Sequence, residues 1–357
     1  MFRTAFVLLL WTVPPGLAQT EAAQWASLAG RVTNAVTGAP VARAEVELIA
    51  AGSEQTGTYA TTSSVDGRFA FDKVTPGVYR LRVEHSTFLA QEFGARRPFA
   101  AGRTLLLTAA DSLPRAFDVA ILPQNVLAGR VVDGDGAPIP SVRVRAMQWG
   151  YVRGKKTLLS FGVPLIGAHT DDEGRFRISG LVPGTYLVIA EFQPTDSGKE
   201  NRPSLAGKRW ERFVATYYPG SPQVGGAVPM ALAAGERHEN ILLQMVKQPA
   251  FRVAGRVDWA DGRPPAPVRI AFQPADSTTG LDLIRGFGGF CRHDGSFAFE
   301  RIPSGAYFVA IVAMTERGPL ILLRQRIDIS DDLRDLNLLV PSPVRVAGEF
   351  SRLVPIR

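Results

Sequence analysis

The sequence predicts an all-β chain of three tandem antiparallel β-sandwiches, and three observations predict it. The phrase "SSVDGRFAFDKVTPGVYRL" returns as "TDDEGRFRISGLVPGTYLV" and again as "RHDGSFAFERIPSGAYFVA", with a constant inner spacing of 12 residues from Gly67 to Tyr79, Gly174 to Tyr186 and Gly295 to Tyr307. Each copy opens on "AGRV", at Ala29–Val32, Ala128–Val131 and Ala254–Val257. Between these marks apolar and polar residues alternate with period two, and no stretch carries a convincing long amphipathic helix. A catalytic motif is needed once. A phrase written three times is architecture.

Taken from the N-terminus, "MFRTAFVLLLWTVPPGLA" has one early cation, Arg3, an apolar run from Ala5 to Val13, a proline break and small residues Gly16 and Ala18 before a cut after Ala18. That is the grammar of a secretory signal peptide over 1–18. The apolar run is far short of the roughly 20 residues a spanning helix needs, and no other segment is long and apolar enough, so no transmembrane segment is expected. The exported chain is expected in the periplasm, at the cell surface or in the medium.

Each copy then follows one course. After "AGRV" comes a Gly/Pro turn, as in "TGAPVARAEVEL", "DGAPIPSVRVRA" and "DGRPPAPVRIAF", which leads into an alternating strand. The pairs Asp66-Gly67, Glu173-Gly174 and Asp294-Gly295 place a positive-φ glycine in a tight loop. The strands "RFAF", "RFRI" and "SFAF" send Phe69 and Phe71, Phe176 and Ile178, and Phe297 and Phe299 to one face. A second turn, "TPG", "VPG" or "PSG", reverses the chain into a strand headed by the tyrosine, and "FDVAIL", "ENILLQM" and "DLNLLV" close the copies. About seven strands per copy result. The expected boundaries are 25–123, 124–247 and 248–341, with 342–357 as a C-terminal tail or extra strand.

The residues quoted, above all "AGRVVDGDGAPIPSVRVRA … TDDEGRFRISGLVPGTYLV", closely resemble the carboxypeptidase regulatory-like domain family. The resemblance implies transthyretin-like, Ig-like Greek-key sandwiches and covers most of the exported chain. "QEFGARRPFAAG" and "ATYYPGSPQ", lying between the last strands, resemble the exported bacterial multi-copy members. The third copy departs, with "PSGAY" at its second turn and no "YYPG" counterpart. Such domains accompany carboxypeptidases without being the peptidase, so the resemblance implies no proteolysis.

Composition narrows the function classes. The formal charge of +7 becomes +6 without Arg3, yet the cations are spread along the chain and alternate with apolar residues, as on solvent faces of strands. No nucleic-acid partner is expected. A single cysteine, Cys291, allows no internal disulfide. The four histidines, His85, His169, His238 and His293, form neither H-x-x-E nor H-E-x-x-H, and no G-x-S-x-G elbow is present. Cys291 and His293 stand two apart on one strand, a geometry open to a Cys–His pair, although a small apolar core residue is the plainer expectation. "DGDG" and "TDDEG" lack the spacing of a calcium loop, and "IRGFGGF" lacks the Lys and Ser/Thr of a phosphate loop. No catalytic residue, no metal and no cofactor is expected.

The remaining candidates are aromatic and lie in the insertions of copy two: Trp149 and Tyr151 in one, Trp210, Tyr217 and Tyr218 in the other. These insertions place its "AGRV" 126 residues before the next, against 99 for copy one. Exposed rings would meet a protein partner or a sugar, whereas buried rings would cap the sandwich or join neighbours. The expected function is an exported, non-catalytic scaffold or interaction protein at the cell envelope with an envelope-protein partner. The alternative is a polysaccharide-binding module that uses these five rings.

Overall fold

A computed structural model describes residues 25–51, 57–108, 115–152, 154–159, 167–192, 210–262, 267–275, 287–316 and 318–342. The signal segment 1–18 and all of the tail 342–357 except its first residue lie outside the described residues. What is described is almost wholly strand, with one 3-10 turn at Val224–Gly226. The chain falls into two compact units, Met1–Pro123 and Gln124–Arg357.

In the first unit the opening strand Ala26–Asn34 pairs antiparallel with Arg68–Val74. The facing sheet runs Thr58–Thr62, Glu45–Ala50 and Gly77–Glu84, and the last of these also pairs with Gln91–Glu92 and Thr104–Leu107. Strict alternation sends Val46, Leu48, Phe69, Phe71, Leu81 and Val83 into one core with Leu28 and Val32, while Glu45, Arg68 and Ala70 stay exposed. Burying this apolar face against its partner sheet drives the pairing.

The second unit holds two such cores. One gathers Leu127, Val131, Val144, Phe176, Ile178, Tyr186, Val188 and Leu243. It lies between the Asn125–Val132 sheet and a sheet built on Arg143–Val152 and Gly184–Glu191. The other gathers Val253, Val257, Ile270, Phe272, Phe297, Val309, Ile311 and Leu338. It lies between the Lys247–Trp259 sheet and the sheet Phe287–Phe290, Arg269–Pro274, Gly305–Thr315, Gly318–Ile329. From Lys247 to Val340 the described residues form the expected seven strands.

One feature differs from the antiparallel expectation. The opening and closing strands of every copy run parallel: Ala26–Asn34 with Val119–Ile121, Asn125–Val132 with Arg237–Gln244, and Lys247–Trp259 with Leu333–Val340. Arg115–Ala116 also runs parallel to Ala26–Asn34, and among the described residues all other strand pairs are antiparallel. Alternation reports which face a residue takes, but it carries no information on the direction of a neighbour that arrives some 80 residues later.

The parallel pair explains the repeated "AGRV". Each ladder is interrupted beside its glycine, between Leu127 and Gly129 and between Val253 and Gly255, and in copy one between the short strands Arg115–Ala116 and Val119–Ile121. A Cβ on Gly30, Gly129 or Gly255 would collide with the carbonyl of Phe117, Ile241 or Leu336 on the closing strand. The phrase glycine does a second job. Gly67, Gly174 and Gly295 have φ of 79°, 72° and 81°, and their carbonyls accept the N–H of Val32, Val131 and Val257 at 2.8, 2.8 and 2.9 Å. Twelve residues on, the hydroxyls of Tyr79, Tyr186 and Tyr307 donate to the carbonyls of Thr75, Val182 and Pro303 in the second turn, at 2.8, 2.8 and 2.9 Å. The constant spacing therefore joins the two fixed ends of one hairpin, a turn bonded to the opening strand and a ring bonded to the next turn.

Candidate interaction surface

The polar candidates lie apart from one another. Cys291 is buried in the third core, where its Sγ accepts the Val268 N–H at 3.4 Å, while His293 is exposed, so the strand does not bring the two together. His169 is exposed beside its turn. His85 packs edge-on against Phe88, with ring centroids 5.2 Å apart, and burial, helped by the Arg43 charge, holds its pKa below the ordinary value. His238 Nε2 lies 2.8 Å from Glu236 Oε1. Among the described residues no three His, Cys, Asp or Glu side chains gather into a metal-holding group. The acidic turns are hydrogen-bonded from within: Asp133 Oδ1 accepts the N–H of Asp135 and Ala137, and Asp171 Oδ1 accepts those of Glu173 and Arg175.

The five aromatics divide into two groups. Trp149 and Tyr151 lie on the far half of Arg143–Val152, which forms a hairpin with Lys155–Leu159. Val144 and Ala146 point into the core, so Met147, Trp149 and Tyr151 share the outer face. Trp149 is 41% exposed and Tyr151 is 74% exposed. Lys156 stands directly across from Tyr151 in the register and holds its Nζ 4.7 Å from the centroid of the Trp149 ring. A flat indole, a phenol and an ammonium are thus presented together, and each offers an apolar surface with a polar edge. Lys156 was not singled out from the sequence. The signal for it was the Gly154 turn between "WGYV" and "KKTLL", which reads as a hairpin once both halves are taken as alternating strands.

The other three rings are buried or half-buried. Tyr217 is only 8% exposed and closes a small cluster with Met147, Leu158, Leu187 and Ile189 on the outer face of the copy-two sheet. Tyr218 is half-buried against the copy-two core, precedes a cis proline and donates its N–H to the Val188 carbonyl at 2.9 Å. Trp210 opens the strand Trp210–Phe213, which pairs antiparallel with Lys247–Ala250 of copy three, and the Arg301 guanidinium sits 4.0 Å from its ring centroid. Arg212 on the same strand lies 4.8 Å from the Phe287 ring.

Three residues later the same segment belongs to copy two, for Thr216–Tyr217 pairs with Gly184–Glu191. Thr216 is fully buried at the crossing, where its hydroxyl donates to the Val214 carbonyl at 2.9 Å and accepts the Val246 N–H at 3.2 Å. One segment thus carries two short strands, the first paired with one sheet and the second with the next, and the Val214 N–H and carbonyl between them are both hydrogen-bonded. Nothing in the composition of "WERFVATYY" announces this, since a crossing strand and a capping loop need the same apolar residues.

Comparison with known proteins bears on the repeats directly. The family model of the carboxypeptidase regulatory-like domain matches residues 27–111 and 126–202, and the third repeat lies outside the matched segments. No curated protein matches the chain. Among solved structures, the Bacillus anthracis TIE protein is 11% identical with a TM-score of 0.23, the likeness covering 89% of this chain and 50% of that one. The chain therefore spans half the length of that protein. A streptococcal ancillary pilin is 12% identical over 88% of this chain and 98% of that one, with a TM-score of 0.26. The minor pilin GBS52 of Streptococcus agalactiae is 13% identical over 63% of this chain and 97% of that one, with a TM-score of 0.29. Among the described residues no helix is long and apolar enough to cross a membrane. The turn glycines and bonded tyrosines of copies one and two thus fall inside two segments, 27–111 and 126–202, that match the carboxypeptidase regulatory-like domain family as tandem repeats of it would.

Proposed function

We propose that this chain is an exported, non-catalytic scaffold and interaction protein of the cell envelope. It comprises three regulatory-like sandwiches at 25–123, 124–247 and 248–341, released from a signal peptide at 1–18 and followed by the tail 342–357. The observation that carries the reading is the crossing strand: Trp210–Phe213 is bonded to the opening strand of copy three, and Thr216–Tyr217 to the sheet of copy two. Two strands of one segment tie copies two and three to each other, which suits display of a surface more than movement about a linker between those two copies. The displayed surface is the Trp149, Tyr151 and Lys156 face of the copy-two hairpin, and its partner is an envelope protein.

A second reading, polysaccharide binding, is favoured by one observation. Trp149 and Tyr151 stand two residues apart on the outer face of one strand, with their rings exposed, an arrangement that offers stacking surfaces to sugar rings. Of the five rings Trp149, Tyr151, Trp210, Tyr217 and Tyr218, these two are the exposed ones. Retention of the exported chain on a panel of soluble and insoluble polysaccharides, beside a folded Trp149→Ala/Tyr151→Ala variant, separates the two. Retention on one glycan that the variant loses establishes sugar binding. Retention on none, with a photo-crosslinker at Tyr151 capturing an envelope protein that the same crosslinker at the exposed Val65 does not, establishes the protein-partner reading. Failure of both arms removes this face from the function.

A further inference from the structure

Copies two and three differ on the outer face of their second sheet. In copy two that face is covered by its own chain, since Tyr217, Val224 and Ala227 pack on Met147, Leu187 and Ile189. In copy three no described residue plays that part: Gly305–Thr315 is followed at once by Gly318–Ile329, and Thr315 donates its hydroxyl to the Gly318 carbonyl at 2.7 Å. One row runs across all four strands, with Phe290 opposite Arg269, Arg269 opposite Val312, and Val312 opposite Ile321. Phe290 and Met314 are 62% and 67% exposed and border a hollow of about 360 Å³ with Trp259, Val268, Arg269 and Val312. Leu320 and Ile321 are exposed beside it.

Among the described residues the sheet ends on Gly318–Ile329, and this 12-residue strand is the longest of them at any sheet edge. A long edge with outward apolar side chains is a template for a further strand. Its charges decide which strand. Arg324 and Arg326 lie on the outer face, opposite Ala310 and Phe308, with Arg324 stacked 4.1 Å from the Phe308 ring centroid. The acid on this strand is Asp328, 4.0 Å from Arg326, and Glu316 stands in the preceding turn. A second copy laid edge to edge brings like charges together around the dyad, which disfavours self-pairing.

We propose that Gly318–Ile329 is a β-augmentation site for an extended peptide segment of a partner, apolar where it meets Leu320 and Ile321 and acidic where it meets Arg324 and Arg326. The site lies in copy three and does not depend on the copy-two rings, so it goes beyond the function proposed above. The probe is a fluorescein-labelled peptide of alternating Glu and Val, titrated against the full exported chain by fluorescence anisotropy. Its controls are a Lys–Val peptide and a Glu–Val peptide methylated on every backbone nitrogen. The expected result is saturable binding of the Glu–Val peptide, weakened at least about tenfold by either control, because charge sign and main-chain hydrogen bonds are both required. An Arg324→Glu/Arg326→Glu variant, checked for folding, reverses the preference toward the Lys–Val peptide, and Ile321→Lys weakens both peptides. Trp149→Ala/Tyr151→Ala leaves binding unchanged, which distinguishes this site from the copy-two face. The proposal is overturned by absence of binding, by equal binding of the methylated peptide, by loss of binding in the copy-two variant, or by an exported chain that is dimeric and becomes monomeric on Ile321→Lys.

Discussion

Two aromatic segments of the same copy meet opposite fates. "WGYV" extends past the sandwich on a two-stranded hairpin and leaves its rings in solvent, whereas "WERFVATYY" is drawn into two sheets and loses its rings to packing. The residue types are the same. What differs is where the backbone finds its hydrogen bonds: the hairpin bonds mainly to itself, and the crossing strand bonds to sheets on either side. An aromatic cluster in an insertion is therefore a surface only when the insertion supplies its own pairing partner.

The largest effect expected from this comparison follows Tyr217→Ala. The ring is buried between Met147, Leu187 and Ile189, and truncation leaves a cavity on the outer face, so a loss of about 3–5 kcal/mol is expected. Tyr151→Ala removes an exposed ring and changes stability by no more than about 0.5 kcal/mol. Urea unfolding followed by tryptophan fluorescence measures both. Equal losses would break the division between the two segments.

A smaller effect concerns the tyrosine that both segments flank. Burial pushes the Tyr186 phenol up from the usual 10.0 to about 12. The folded state thus holds its proton where the unfolded chain releases it. The contribution is complete below pH 10 and is lost as the pH rises from about 10 to about 12. Over that window a fall of roughly 2 kcal/mol is expected. Tyr186→Phe has no such phenol to titrate. Stability curves of the two proteins from pH 9 to 12 should therefore converge at the alkaline end, and parallel curves would show that the hydroxyl does not titrate differently in the fold.

The same contrast marks what was legible in the sequence. Gly67, Gly174 and Gly295, and the tyrosines 12 residues after them, could be read because each is required by a local turn. So could the faces of "RFAF" and its counterparts, since period two is a local property. The parallel closing strands could not, nor could the passage of Trp210–Phe213 into a neighbouring sheet, because strand direction and partner are set by contacts distant in sequence. For that reason the sequence leaves Trp210, Tyr217 and Tyr218 open to either reading, surface rings or rings that cap or join sandwiches, and Lys156 carries no signal before the hairpin has closed.

The smallest effect tests the crossing strand itself. Trp210→Leu keeps apolar bulk against copy three but removes the face on which the Arg301 guanidinium rests at 4.0 Å. Loss of a half-exposed cation–π contact is expected to cost about 0.5–1 kcal/mol. If the strand opens as its own unit, that cost appears locally. The amides of Gln248 and Ala250, which lie across from Arg212 and Trp210, then exchange with solvent up to about fivefold faster while the core amides of Val253 and Val257 keep their rates. If all of these rates rise together, the crossing strand opens only with the sandwich it joins, and the joint between copies two and three is as cooperative as either core.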